Sequence, residues 1–388
     1  MPRQRSAHEG SIRQRPNGLW EARLNGGYVN GKRVQQSFYG PTRADVAEQL
    51  VKATREKQQG LTIAPSKQTV RDYLRAYLET AKPRLRARTF LGYQQTLDLH
   101  VIPQLGTLRL SKLTPQRLQT WLGALRADGV SANRCRYART VLRAALKQAV
   151  RWQVLAVNPA TLVEVPRHVK APIVPLDVKQ ARQLLDAVRG HELDGFVTVG
   201  VASGLRVGEA LALEWSAVDL NAGTLNVRRT VSRLPVVRDE EGQQIGGGLE
   251  YGEPKSARSR RTLTLPAVVI DALKAHRARQ LEQRMALGPA WTDSGLVLTS
   301  PIGTALDYSN LRRAFRALLK AAELPMMKIH NMRHTAATLL LAQGCDPRTI
   351  MELLGHSQIS LTMNTYAHVL PQLTQDAARR MDAVLARA

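Results

Sequence analysis

Cysteine, long apolar runs and acidic side chains are the things this 388-residue sequence has little of. Its two cysteines, Cys135 and Cys345, are far apart; they fit two buried thiols in a reducing compartment and cannot build a zinc ribbon. No His-Glu-x-x-His sequence offers another zinc site, so no metal is expected. No run of about 18 apolar residues is present to span a bilayer. The basic start, Met1-Pro2-Arg3-Gln4-Arg5, is not followed by the apolar segment of a secretory signal. A cytoplasmic protein that does not enter a membrane is therefore expected. No internal repeat of roughly 20 to 50 residues is visible, which argues against a solenoid.

The shortage of acid is the more telling absence. Lysine and arginine total 56 against 31 aspartate and glutamate, a net charge of +25. Such a balance calls for a polyanionic partner, with nucleic acid ahead of an acidic membrane. The charge is also uneven, because residues 67 to 170 carry 19 basic and 5 acidic side chains. A segment of that density gains affinity for DNA by releasing counterions.

A chain of this length is expected to form two or three units, each with its own core. Residues 11 to 59 read as three short strands and a helix. Asn17-Gly18 signals a hairpin, and Asn25-Gly26-Gly27 with Asn30-Gly31 marks a second turn. Alternation over 11–15, 19–24 and 33–39 sends Ile12, Trp20, Ala22, Leu24, Val34 and Phe38 to one face and Arg13, Arg15, Arg23 and Arg33 to the other. An arginine-lined sheet face suits reading of a DNA groove. Thr42 is placed to cap the following helix.

After a break at residues 61–67, helices are expected at 70–80, 88–100, 115–126 and 132–152, with Thr114-Pro115 and Ser131 as start signals. The last exposes Arg139, Arg143 and Lys147 beside an apolar stripe, making them candidate DNA contacts. Three prolines within 165–175 then read as an extended linker. Beyond it, Asp177 starts a helix, and strands are expected at 224–231 and 261–265. Residues 239–248 between them read as a hairpin extension or mobile loop. Helices follow at 268–287, 309–322, 332–342, 347–354 and near 372–385.

The residues that carry chemistry lie in this last segment. His330-Asn331-Met332-Arg333-His334, Leu354-Gly355-His356 and Tyr366 come in close succession, and Ser203-Gly204-Leu205-Arg206-Val207-Gly208-Glu209 places another arginine at a turn entering a helix. A phosphodiester resists attack because its oxygens repel nucleophiles and its alkoxide leaves poorly. Arg206 and Arg333 suit the clamp, because guanidinium offers forked donors and a permanent charge. His356 can add a donor, and cations nearby would make Tyr366 a usable nucleophile. A phosphotyrosine would keep the bond energy, so that strands could be rejoined without ATP.

In this combination the motifs closely resemble the tyrosine recombinase (phage integrase) family, over nearly the whole chain. The resemblance implies an arm-type DNA-binding domain at 1–64, a helical core-binding domain at 65–165, a linker at 166–175 and a catalytic domain at 176–388. The implied fold is multidomain: a small α+β unit of a three-stranded sheet plus helix, an all-α helical bundle, and a mainly α catalytic unit with a small antiparallel sheet. It implies catalytic roles for Arg206, His330, Arg333, His356 and the nucleophile Tyr366, with Glu209 orienting its neighbours. Pro254-Lys255-Ser256 begins the matching hairpin. Lys255 then becomes the general acid, and Arg258, Arg260 and Arg261 phosphate contacts. Asn331 stands where many relatives carry aspartate.

The implied activity is site-specific recombination of double-stranded DNA in a homotetramer, through a 3′-phosphotyrosyl enzyme and a Holliday junction, with no cofactor and no metal. A phage or integrative element would be the source, with a directionality factor and a DNA-bending host protein as partners. The apolar stripe Leu373, Ala377, Met381 and Val384 could dock on a neighbouring protomer or on its own domain. The competing readings are a type IB topoisomerase and a non-catalytic DNA-binding regulator.

Overall fold

The computed structural model describes residues 11–29, 32–58, 68–165, 167, 174–239, 241–254, 257–355, 378–379, 381–382 and 385. The chain divides into two compact units, Met1–Val169 with Leu234–Gly247, and Lys170–Arg233 with Gly248–Ala388.

The first unit opens with an antiparallel sheet of β1 (Ser11–Gln14), β2 (Trp20–Val29) and β3 (Lys32–Gly40) in that order. Gly18 takes the left-handed conformation that the Asn17-Gly18 turn needs (φ 82°). The turn expected at Asn25-Gly26-Gly27 is instead a bulge inside β2, between Asn25 and Gly27. Glycines let the strand absorb an extra residue and continue to Val29. Helix α1 (Arg43–Gln58) starts on reciprocal bonds between Thr42 and Asp45, and Ala22, Leu24, Val46 and Ala53 are buried.

Four helical segments follow. α2 (Val70–Ala81) begins with a capping box between Thr69 and Asp72. α3 (Ala87–Thr96) runs through a π turn at Leu97–Val101 into α4 (Ile102–Leu105). The helix expected to stop near residue 100 is thus extended. Pro103 has no N–H for the regular ladder, and the Ile102 N–H bonds back to Leu97 O. α5 (Pro115–Ala127) and α6 (Ala132–Arg151) start at Thr114 and Ser131, whose side chains accept from Arg117 N and Arg134 N. Tyr73, Leu74, Leu97, Leu118, Leu122, Leu142 and Leu146 form the centre of this core, and the Tyr73 hydroxyl donates to Ala145 O at 2.6 Å.

The second unit contains α7 (Val178–Val188), α8 (Asp194–Ser203), α9 (Val207–Leu211), β4 (Val218–Asp219), β5 (Thr224–Val227) and β6 (Thr230–Arg233). Asp177 caps α7 as expected. The single strand expected at 224–231 is broken at Arg228-Arg229, and its halves join different sheets. The hairpin of β7 (Val236–Arg238) and β8 (Gln244–Gly246) belongs to the first unit, where Gln95 Nε2 donates to Val236 O at 3.1 Å. The extension read at 239–248 is therefore an ordered hairpin, apart from Glu240, which lies outside the described residues.

In the second unit β9 (Leu249–Gly252) pairs with β6, and β10 (Arg261–Thr264) with β5, whose other neighbour is β4. Helices α10 (Ala267–Leu287), α11 (Tyr308–Ala321), α12 (Asn331–Ala342) and α13 (Pro347–Leu354) complete it. Phe196, Val197, Leu225, Val269, Leu273 and Phe315 lie at its core. Of the helix expected near 372–385, residues 378–379, 381–382 and 385 are described, helical and exposed, Met381 of the apolar stripe among them; the rest of it and most of the linker lie outside the described residues. Among the described residues, no helix is long and apolar enough to cross a membrane. The architecture of small sheet-plus-helix, helical bundle and mainly α unit with a small antiparallel sheet is the one expected.

Candidate active site

The candidate site grows from two of the left-handed helix ends in the second unit, those at Gly204 and Gly355. α8 ends at Gly204 (φ 61°), where a Cβ would lie 2.5 Å from Leu354 Cδ2. Only glycine meets both the backbone and the space requirement. The turn brings Arg206 to the start of α9, where its N–H donates to Glu209 Oε2 (3.1 Å) and its Nη1 to Glu209 Oε1 (2.7 Å). Gly208 lets α9 lie against β6, since a Cβ there would meet Val231 O at 2.6 Å.

The second end is Gly355, which closes α13 (φ 64°). The final carbonyls of a helix lack partners inside it and carry the negative pole of its dipole. Three guanidiniums take three successive ones. Arg261 Nε donates to Leu353 O (2.6 Å), Arg333 Nη2 to Leu354 O (2.6 Å) and Arg206 Nη2 to Gly355 O (2.8 Å). Arg333 also donates through Nη1 to Gly204 O (2.9 Å), so it fastens the two helix ends together from a position only 2% exposed.

Arg206, Glu209, His330 and Arg333 are thus brought together. Burial alone would raise the Glu209 carboxyl, but Arg261 and Arg206 outweigh it and hold the group below the usual carboxylate range. Desolvation, then the charges of Arg333 and Arg206, push the His330 imidazole below its ordinary value. His330 stands at the start of α12, edge-on to the His334 ring, 5.1 Å between centroids. Lys255, His356 and Tyr366 lie outside the described residues.

Arg261 does not take the place expected of it. Instead of facing outward to a phosphate, its side chain is 8% exposed and pairs through Nη2 with Glu209 Oε2 at 3.1 Å. The signal was in the strand: Arg261 shares parity with the buried Leu263, so alternation turns both inward. Arg258 and Arg260 are exposed, and Arg260 lies 3.5 Å from Glu253. Ser259, buried beside them, was not foreseen; its hydroxyl is 3.4 Å from Arg206 Nη1.

The sheet of the first unit carries a second cluster. Cross-strand register aligns Arg13, Glu21 and Tyr39. Glu21, 1% exposed, accepts from Arg13 Nε (2.7 Å), Arg23 Nε (2.9 Å) and the Tyr39 hydroxyl (3.2 Å), and Arg15 Nε lies 3.9 Å away. Arg15 also sits over the Tyr39 ring at 5.4 Å. The bond from Arg23 is the chief reason that the Glu21 carboxyl is lowered to about 2. Sequence reasoning saw the arginines and missed the acid between them. The side chain of Arg33 lies outside the description.

On α6, Arg143 and Lys147 are exposed, but Arg139 is not available in the same way. Its Nη2 donates to Thr161 O (3.2 Å) and Val163 O (3.4 Å), so it ties down the segment after α6 rather than facing outward.

Residues 175–372 match the profile of the phage integrase family, and residues 69–126 that of the phage integrase N-terminal SAM-like domain. An integrase of Streptomyces ambofaciens is 30% identical over 397 aligned positions, covering 100% of this chain and 99% of the relative. A XerC-like tyrosine recombinase of Caldanaerobacter subterraneus is 28% identical over 364, covering 91% and 93%. Among solved structures, the Tn1549 transposon integrase in complex with circular intermediate DNA shares the fold with a TM-score of 0.64 at 21% identity, covering 80% of this chain and 99% of that one. A lambda integrase dimer bound to a core site gives 0.55 at 17% identity, covering 94% and 96%. With a family profile matched across its second unit and a full-length relative at 30% identity, this chain belongs to the phage integrase family.

Proposed function

We propose that this protein is a site-specific DNA recombinase of a phage or integrative element, cleaving and rejoining double-stranded DNA through a 3′-phosphotyrosyl intermediate. The observation that carries the reading is the convergence of Arg206 and Arg333 on the carbonyls of Leu354 and Gly355, directly before His356, which itself precedes Tyr366 by ten residues. In-line attack on a phosphodiester requires fixed cations at its oxygens and a positioned nucleophile, and the sequence supplies His356 and Tyr366 just after this convergence.

In this mechanism Arg206 holds the non-bridging oxygens of the scissile phosphate, Arg333 adds its charge from the buried position where it fastens the two helix ends, and His356 donates a further hydrogen bond. Tyr366 Oη attacks phosphorus as the phenolate, the bond to O5′ breaks, and Lys255 Nζ gives that oxygen its proton. The 5′ hydroxyl of the partner strand then attacks the phosphotyrosine, forming the new phosphodiester and releasing Tyr366. His330, its pKa lowered, serves as a neutral imidazole at the working pH, able both to donate and to accept.

Residues 1–64 would act as the arm-type DNA-binding domain through Arg13, Arg15, Arg23 and Arg33, and 65–165 as the core-binding domain with Arg143 and Lys147 toward DNA. Residues 176–388 would be the catalytic domain, joined by a linker at 166–175. A lambda integrase tetramer bound to a Holliday junction, similar in fold to this chain, supports exchange in a tetramer. The setting is the cytoplasm, with a directionality factor and a DNA-bending host protein as partners.

A nicked duplex carrying the attachment site, whose cleaved fragment diffuses away, tests the proposal. A covalent protein–DNA adduct is expected, and Tyr366→Phe is expected to bind the duplex without forming it. An adduct that survives Tyr366→Phe, or none with the wild type, overturns the reading.

A further inference from the structure

We propose that Arg261 is a positioning residue for DNA cleavage: it fixes Glu209, and through Glu209 it fixes Arg206 where the scissile phosphate is to be held. The inference rests on the recombinase reading and adds a residue to it.

The two oxygens of Glu209 are shared out. Oε1 accepts from Arg206 Nη1 at 2.7 Å, while Oε2 accepts from Arg261 Nη2 and from the Arg206 N–H, both at 3.1 Å. Arg206 is 37% exposed and so open to a ligand, whereas Arg261 at 8% is not. Arg261 has two further anchors, Leu353 O through Nε (2.6 Å) and Ser259 O through Nη1 (3.0 Å). One planar fork therefore joins the strand, the end of α13 and the carboxylate that orients Arg206. Lysine has no such fork and can satisfy only part of the set.

The arrangement matters because Glu209 is buried with two cations against it. Without Arg261, Oε2 would lose its side-chain partner, and a buried carboxylate with one remaining counter-charge would take up a proton at higher pH. A protonated Glu209 would no longer hold Arg206 by charge. Among the described residues, the other charged groups facing this region are Arg333 and His330 from α12, and Glu214, Arg228 and Arg229, which line a small cleft with Glu209. His330 titrates in the wild type as well, so the experiment must separate the two.

Single-turnover adduct formation on the nicked duplex, at saturating DNA and from about pH 5 to about pH 9, makes that separation. Arg261→Met is expected to gain an acid limb absent from the wild type, with a rate falling about tenfold per pH unit below the raised pKa. Arg261→Met combined with Glu209→Gln should lose that limb, because the titrating group is gone while His330 remains. Profiles of Arg261→Met and wild type that run parallel, or a limb that persists in the double variant, overturn the inference.

If Arg261→Met does not fold, Arg261→Lys takes its place. It should keep the wild-type pH shape at a lower rate throughout, and a wild-type rate would refute the fork. Thermal unfolding across the same pH range reads the Arg261–Glu209 pair without catalysis. Glu209 has a lowered folded pKa, so its stabilisation is lost as pH falls through that value. Arg261→Met is expected to begin losing Tm at higher pH than the wild type, while Arg261→Lys, which keeps a counter-charge beside Glu209, should not. An unchanged pH dependence in Arg261→Met sinks the inference even where no adduct forms, whereas a missing wild-type adduct alone counts against the recombinase reading.

Discussion

A buried glutamate gathers arginines in the sheet of the first unit, and another does so in the second unit, with opposite results for the cations. Around Glu21, the side chains of Arg13, Arg15 and Arg23 remain 54%, 43% and 34% exposed. Around Glu209, Arg261 is sealed in and Arg206 is half open. The first acid arranges cations that stay in water, where their charge is screened. The second stands among guanidiniums that also donate to the helix-end carbonyls of Leu353 and Gly355, where charge acts at short range and with little screening. The same residue types thus make an open cationic surface in one place and a closed frame in the other.

Breaking the frame should have the largest effect. Glu209→Ala leaves the buried Arg261 without its counter-charge, and a loss of about 3–5 kcal/mol in the stability of the second unit is expected by denaturant unfolding. Glu21→Ala exposes its arginines to water and should cost clearly less. Equal losses would contradict the distinction between the two clusters.

The glycines give the next contrast. Gly204 and Gly18 both have positive φ, but only Gly204 has a neighbour where a Cβ would go. Gly204→Ala combines backbone strain with a clash and is expected to cost about 2–4 kcal/mol. Gly18→Ala carries the strain alone, about 1–2 kcal/mol. A Gly204→Ala protein as stable as Gly18→Ala would show that Leu354 moves aside freely.

Titration sharpens the comparison at the surface. The Glu21 carboxyl, lowered from an ordinary 4.5 to about 2, contributes stability that is fully present above 4.5 and is lost as pH falls through about 2. A carboxyl-resolved NMR titration should find its midpoint near 2, and a midpoint near 4.5 would dissolve the cluster. The smallest effect concerns DNA. Glu21→Gln removes one negative charge from the arginine face and should steepen the salt dependence of non-specific binding by about one unit of slope. An unaltered slope would mean that this face does not meet phosphate.

How much of this was legible depended on whether a residue answers to its sequence neighbours or to distant ones. Helix starts at Thr42, Thr114, Ser131 and Asp177 were readable because a cap is a local bond. α8 was not, because Asp194–Ser203 is buried nearly all round and so shows no apolar period. The break at Arg228-Arg229 was hidden because each half still looks like a strand. At the site, Arg206, His330 and Arg333 were legible through spacing, and the structure brings all three together. Arg261 and Arg139 were misjudged alike: a cation near a basic surface reads as outward, while its real partners, Glu209 and the Thr161 carbonyl, are distant in sequence. The parity of Arg261 with Leu263 was the one local clue.

The most direct test sets the two glutamates side by side in the nicked-duplex assay, measuring adduct rate against DNA concentration for Glu209→Gln and Glu21→Gln. The rate at saturating DNA should collapse in Glu209→Gln, while Glu21→Gln should act on the DNA concentration needed for half saturation and on its salt dependence. A Glu209→Gln protein that keeps the saturating rate and only binds more weakly would contradict the account.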